Sequence, residues 1–526
     1  MKRLWKAWIA GAGIVATCAA HDAMAQRSGD VLHLVGLNPP SASIHEEYTF
    51  DVQRAFMPVF NNLVIFDQAA THHTMKEIKP DLAESWSWDS SHTVLTFRLR
   101  TAVKWHDGQP FSAKDVKCTW DTLRGAREAG WRNNPRAGWY QNLKDVTVDN
   151  DRQVSFHLAR PQPSLLEYLA SGLSPVYPCH VSAQQMRSAP IGTGPFKVAK
   201  FERGKSVQLV RNPDYFKKGH PYLDGVTIRF LAGGSMMNQE LGFTSGIYDQ
   251  INLPYNKVAQ LQLTNPKARC EIKKTSTELV LVFNHAALPF NDVNVRRAFA
   301  YAIDRNAFLR ISNNAFNVGS LFRSDSEWGR PASALAAFPG YGPDTKANLA
   351  QAQQLMRQAG YGPEKPLNVE LITRNSDSYL APTTLVADQL SKIYVNAKIN
   401  LLESSVWYAT RARKNYQLAV DVVGTAVDDP DDYFSRLTCQ SPTNISNYCK
   451  KEFDEQIAAQ SQELDPAKRK ALVLKIDDEL MSDAVRPTLY HSAIGYCTQP
   501  YVKGLTISDN GGHFNSFRLD DTWLDK

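Results

Sequence analysis

Residues 82–123 read LAESWSWDSSHTVLTFRLRTAVKWHDGQPFSAKDVKCTWDTL, and this stretch decides the fold. Leu95, Phe97 and Leu99 alternate with Thr96, Arg98 and Arg100, the period-two pattern of a half-buried strand. Asp107-Gly108 supplies a turn. Ser112 stands where a helix N-cap belongs, and Asp115, three residues on, takes the place of the capping-box acid. The stretch therefore reads as a β-hairpin followed by a capped helix.

The same texture continues on both sides. Val154, Phe156 and Leu158 form a second alternating strand, and Val207 and Leu209 a third, ended by the turn Asn212-Pro213-Asp214. From residue 291 the pattern changes to longer helices. Val295, Phe299 and Ala302 share one face behind an Asn291/Asp292 cap. Leu349, Ala352, Met356 and Ala359 make another stripe, stopped by Gly360. Asp465-Pro466 opens a third, with Leu472, Ile476 and Leu480. These stripes read as core. There is no internal repeat and no low-complexity linker, so the α/β texture predicts two lobes joined by crossing strands.

The N-terminus carries an export signal. Lys2, Arg3 and Lys6 form a basic region, and Ala7 to Ala20 is apolar but too short to anchor in a bilayer. Ala23-Met24-Ala25 is a small-x-small cleavage site, which predicts a mature chain beginning at Gln26. The competing reading is a lipoprotein with Cys18 lipidated, against which Thr17 is a poor preceding residue. No later stretch is long and apolar enough to cross a membrane. Beyond the signal, about 500 residues remain, too many for one hydrophobic core. Loss of Lys2, Arg3, Lys6 and Asp22 takes the formal charge from +6 to +4, with both signs interspersed. Nothing in that balance calls for nucleic acid or an anionic membrane.

Six cysteines follow the cleavage site, an even number in an oxidising compartment. Cys439 and Cys449 flank a Ser-Pro-Thr-Asn loop and make the best disulfide pair. Cys118, Cys179, Cys270 and Cys497 leave three pairings open, and free buried thiols are the alternative.

Residues 82–123 also resemble the signature region of family 5 extracellular solute-binding proteins, the dipeptide, oligopeptide and nickel receptors of ABC importers. PIGTGPFKVAKFERGKSVQLVRNPDYFKKGHPYLDGVTIRF (190–230) is similar to that family's second common stretch, with Gly192 and Gly194 read as permitting a tight turn. NDVNVRRAFAYAIDRNAFL (291–309), YGPDTKANLAQAQQLMRQAGYGP (341–363) and SNYCKKEFDEQI (446–457) match in family order. The resemblance implies a two-lobed α/β periplasmic binding protein of the clamp type. It places the first lobe at about 26–279 plus 491–526, with an extra subdomain at about 60–190, and the second lobe at about 280–490. The implied function is capture between the lobes and delivery to an inner-membrane permease, by a monomer without a cofactor.

Ligand selectivity is expected at two places. In LITRNSDSYLAP (371–382), Arg374 follows a strand-like run, in a context where dipeptide receptors use an arginine to grip the ligand carboxylate. In VDVVGTAVDDPDDYFSRL (420–437), alignment of Asp429-Pro430-Asp431 on the family pattern puts the family's amine-binding aspartate at Ala426. Alanine cannot neutralise an ammonium, so the solute lacks a free α-amine or meets another acid, for which Asp428 is the nearest choice. Asp429 belongs to the same candidate turn. Trp407 and Tyr48 sit where the family tends to place pocket aromatics.

Signs of an enzyme are missing. There is no Gly-x-Ser-x-Gly elbow and no Cys-x-x-Cys pair, and His45-Glu46 lacks the second histidine of a zinc protease helix. Ala199 to Ser206 ends Gly-Lys-Ser but has alanine in the first glycine's place. The histidines are scattered, and no metal cluster is evident. The leading reading is a receptor for a peptide-like or carboxylate-bearing solute. A nickel chelate, opine or sugar acid is the alternative ligand, and a secreted hydrolase the alternative class.

Overall fold

The alternating strands on either side of residue 100 form an antiparallel sheet in the computed structural model, which describes residues 26–47, 51–126, 130–231, 235–312, 316–508 and 513–526. The export leader with Cys18, and Tyr48, lie outside the described residues. The sheet runs Ala83–Trp88, Val94–Leu99, Gln153–Leu158, Leu143–Asn150. Leu95 lies opposite Phe156 and Phe97 opposite Val154, all four buried. The rings of Phe97 and Phe156 meet edge to face at 5.4 Å.

Helix Ala113–Leu123 covers this sheet, with Trp120 edge-on to Phe156 at 5.0 Å. The expected cap is present: the Asp115 carboxylate accepts the Ser112 N–H at 2.9 Å. Its other oxygen accepts the Cys179 N–H at 3.0 Å, beside a Cys118–Cys179 disulfide.

A ten-stranded mixed sheet runs through the molecule in the order Val395–Leu402, Leu367–Arg374, Leu418–Val423, Arg269–Phe283, Thr488–Thr498, Gln250–Pro254, Val31–Gly36, Gly225–Phe230, Ser206–Arg211, Phe196–Glu202. At its centre the long strands Arg269–Phe283 and Thr488–Thr498 pair antiparallel, with register shifts at Lys274/Glu278 and Leu279/Val280. Such irregularities bend a strand pair. One side of the bend belongs to a core built on Leu32, Leu34, Phe97, Phe156 and Phe517. The other belongs to a core built on Leu281, Phe283, Phe299, Met356 and Leu371. These are the two lobes, and the crossing strands join them.

The three helical stripes face the core, but not every member is buried. Val473 is buried and Leu472 half-buried in helix Pro466–Ser482, and Ala302, Leu349 and Ala359 are only partly covered. Asp292 and Asp465 cap their helices through backbone N–H groups. All six described cysteines are paired, as Cys118–Cys179, Cys270–Cys497 and Cys439–Cys449.

Gly192 and Gly194 correct the turn reading. Their role is close approach: a Cβ on Gly192 would lie 1.9 Å from the Val59 carbonyl oxygen, and one on Gly194 2.4 Å from the Val59 carbonyl carbon. The Gly194 N–H donates to that oxygen at 2.9 Å. The Gly-Lys-Ser stretch is the hairpin between Phe196–Glu202 and Ser206–Arg211, with Gly204 at φ +75° and no helix behind it to hold a phosphate. Gly192→Ala is expected to lower stability by about 1–3 kcal/mol through overpacking, read as a fall in thermal midpoint, because the obstacle is backbone.

Candidate functional site

Arg374 ends strand Leu367–Arg374, and its Nε donates to Ser404 Oγ at 2.8 Å, at the start of helix Ser404–Ala412. The guanidinium carbon lies 5.9 Å from the Tyr379 ring centre and 5.7 Å from that of Tyr408. Both distances suit cation–π contact. Arg411 lies 5.3 Å from the Tyr408 ring centre and donates to the buried Asp421 at 2.7 Å. Burial pulls the Arg411 guanidinium down, but Asp421 outweighs it and holds the group above its usual range.

Trp407 is 0 % exposed. It packs among Val280, Val282, Ile372 and Ala419, with its ring edge-on to Tyr379 at 6.5 Å. The expectation of a pocket aromatic gives way here to a core residue that buttresses Tyr379 beside Arg374. A large apolar ring gains more from full burial than from a place at a wet surface.

On the first lobe, helix Asp51–Phe56 carries a carboxyl that feels Arg374. Burial pushes the Asp51 carboxyl up, while Arg54 on its own helix and Arg374 on the second lobe pull it back. Arg54 is buried, which lowers it to about 10. It donates to Gln250 Oε1 at 2.5 Å and lies 4.7 Å from the Phe517 ring centre.

The aspartate-rich turn is more heavily engaged than its sequence implied. Ala426 is buried and, with Val427, joins the core of the first lobe. Its N–H donates to Asp432 at 2.6 Å, and its carbonyl accepts from Asn515 at 3.1 Å. Asp428 is buried and accepts from the Tyr433 hydroxyl at 3.2 Å. Asp429 caps helix Pro430–Phe434 and accepts both terminal nitrogens of Arg469 at 2.7 Å. With its oxygens held by that pair, Asp429 is a structural ion-pair residue, and its assignment to the ligand is corrected. Asp431 and Asp432 reach across to the first lobe. Ser164 donates to Asp431 at 2.5 Å, and the Trp139 indole to Asp432 at 3.3 Å.

Among the described residues, no group of three or more His, Cys, Asp or Glu side chains is placed to hold a metal ion. No described helix is long and apolar enough to cross a membrane. A small cavity lined by Arg305, Tyr341, Asp477 and Arg486 belongs to the second lobe and shares no residue with this site.

The model of bacterial extracellular solute-binding proteins, family 5 Middle, matches residues 77–444. The chain belongs to this family. This solute-binding protein is 25% identical over 471 residues to Di/tripeptide-binding protein 2 of Pseudomonas aeruginosa, covering 81% of this chain and 82% of that one. Its fold matches that of the ABC transporter-associated periplasmic binding protein DppA of Helicobacter pylori, in complex with peptide STSA. The TM-score is 0.80 at 22% identity, over 95% of this chain and 99% of that one. The agropinic acid complex of the binding protein AgaA from A. tumefaciens has a TM-score of 0.77 at 22% identity, over 95% and 99%. These relatives are binding proteins, as the family description states.

Sequence reasoning on this solute-binding protein passed over Asp51, Arg54, Tyr379, Arg411 and Asp421. Asp421 had a signal: an acid inside the apolar strand Leu-Ala-Val-Asp-Val-Val demands a partner. Asp51 and Arg54 had none, because their significance lies in an arginine more than 300 residues away. The Asp429–Arg469 pair makes a prediction of its own. Arg469→Met is expected to cost about 3–5 kcal/mol in thermal denaturation, because it strands a buried carboxylate.

Proposed function

We propose that this protein is the periplasmic receptor of an ABC importer, which captures a peptide-like or other carboxylate-bearing solute between its lobes. The observation that supports the reading is Arg374, a guanidinium oriented by Ser404, flanked by Tyr379 and Tyr408 and near enough to the opposite lobe to act on Asp51. A pre-oriented guanidinium binds a carboxylate through two parallel charge-assisted hydrogen bonds. Solute held there contacts both lobes, which is the condition for ligand to favour closure. The crossing strands serve as hinge at their register shifts, near residues 274–280. The proposed boundaries are a first lobe of about 26–279 and 491–526, its extra subdomain of about 60–190, and a second lobe of about 280–490. The protein is exported with cleavage after Ala25, works as a monomer and hands its solute to an inner-membrane permease. It carries out capture and no chemistry.

Ala426 favours a narrower version. Alanine supplies no acid to an α-amine, and the carboxylate beside it, Asp432, already accepts the Ala426 N–H and the Trp139 indole. Of the nearby acids, Asp421 is paired with Arg411, and Asp428 is buried beside Tyr433. Asp51, half-buried at the Arg374 end, is the carboxylate best placed to meet an ammonium. An opine, sugar acid or nickel chelate, which needs no free α-amine, is the second reading.

Native mass spectrometry of the purified protein identifies co-purified solute, and calorimetry with that solute tests the anchors. Arg374→Ala is expected to weaken binding by about 2–5 kcal/mol; unchanged affinity rejects carboxylate recognition at this residue. Asp51→Asn separates the two ligand types. It weakens an amine-bearing solute and leaves the affinity of one without an amine unchanged or tighter.

A further inference from the structure

Away from Arg374, the lobes meet a second time. Ser164, the N-cap of helix Leu165–Ala170, and Trp139 donate to Asp431 and Asp432 of the second lobe. Glu167 follows Ser164 by three residues and so lies on the same face of that helix. It is only 5 % exposed, and its Oε2 has no hydrogen-bond partner. The charged groups that act on it belong to the second lobe: Asp429, Arg469, Asp428 and Glu327. Asp431, two residues past Asp429, is held by Ser164, Gln460 and Ser461.

Arg469 is the one cation in this group, and its two terminal nitrogens are engaged by Asp429. Its Nε donates to Gln460. Arg469 still attracts an ionised Glu167, but with its hydrogen bonds directed at Asp429 and Gln460 it leaves Glu167 a buried anion among a majority of anions. A neutral carboxyl removes that conflict at the cost of one unsatisfied polar group.

We propose that Glu167 is a proton-operated latch between the lobes, allowing them to close fully only while its carboxyl carries a proton. Separation of the lobes returns Glu167 to water and to the ordinary carboxylate range of about 4.3. Within the interface, burial first and then Asp429 and Asp428 push it well above that range. The closed state thus binds more protons than the open one. Closure is favoured at low pH and lost as pH rises through the raised value. One linked proton changes the closed-to-open ratio by up to about tenfold per pH unit between those limits.

The latch rests on the two-lobe capture reading but is testable without solute. Small-angle scattering of the solute-free protein from about pH 5 to about pH 9 is expected to show a compact form that expands with rising pH. Glu167→Gln, which keeps the shape and removes the titration, is expected to stay compact throughout. Glu167→Met, a second uncharged variant, guards against a misfolded first one and is expected to behave the same way. A wild-type radius that does not change with pH, or one that changes identically in both variants, overturns the latch. Failure to find any bound solute would overturn the capture reading and leave this result unaffected.

Discussion

The antiparallel pairing of Arg269–Phe283 with Thr488–Thr498 is the constraint on which the rest of the molecule depends. Three strands of the second lobe extend the sheet from one side of this pair, and five of the first lobe from the other. The backbone hydrogen bonds are continuous across the whole width, so the lobes cannot drift apart as tethered bodies do. The pairing is irregular only between Lys274 and Val280, where Thr275 still binds Ser492 across the strands. The Cys270–Cys497 disulfide bridges opposed residues on the first-lobe side of that irregularity. It therefore ties the strand pair together at one end of the bend.

The strands join the lobes, and side chains make the remaining contacts between them. Two contacts oppose each other in character. At the Arg374 end, the guanidinium favours the ionised form of Asp51 on the first lobe, and charge attracts. At the turn following Gly424, carboxylates crowd one arginine, and charge repels unless the Ser164 hydroxyl, the Trp139 indole and the Gln460 amide donate to them. Ala426 stands at the margin of the second contact. A side chain without charge lets its backbone carry both the Asp432 and the Asn515 hydrogen bonds inside the first lobe's core.

Much of the fold was legible in the sequence because local periodicity was honest. Leu95, Phe97 and Leu99 point inward, Ser112 and Asp115 cap a helix, and Asp292 and Asp465 open two others. What failed was any judgement needing distant neighbours. Gly192 and Gly194 yield to the backbone of Val59, more than 130 residues earlier, so a turn was read where a close approach exists. Trp407 lies in a helix whose other face does meet the Arg374 cluster, so period alone could not tell a buttress from a lining. Asp429 looked available because its partner, Arg469, is 40 residues away in a different helix.

The C-terminal residues return to the first lobe, where Phe517 and Leu519 enter its core and Arg518 is fully enclosed. Arg518 pairs with Asp81 and with Asn62, and Lys217 reaches Asp520 from the middle of the chain. The first lobe is therefore fastened by two distant stretches of one chain: the site that encloses Asp81 has its guanidinium only when the C-terminal segment is docked. The second lobe, nearly contiguous in the chain, needs no such remote fastening.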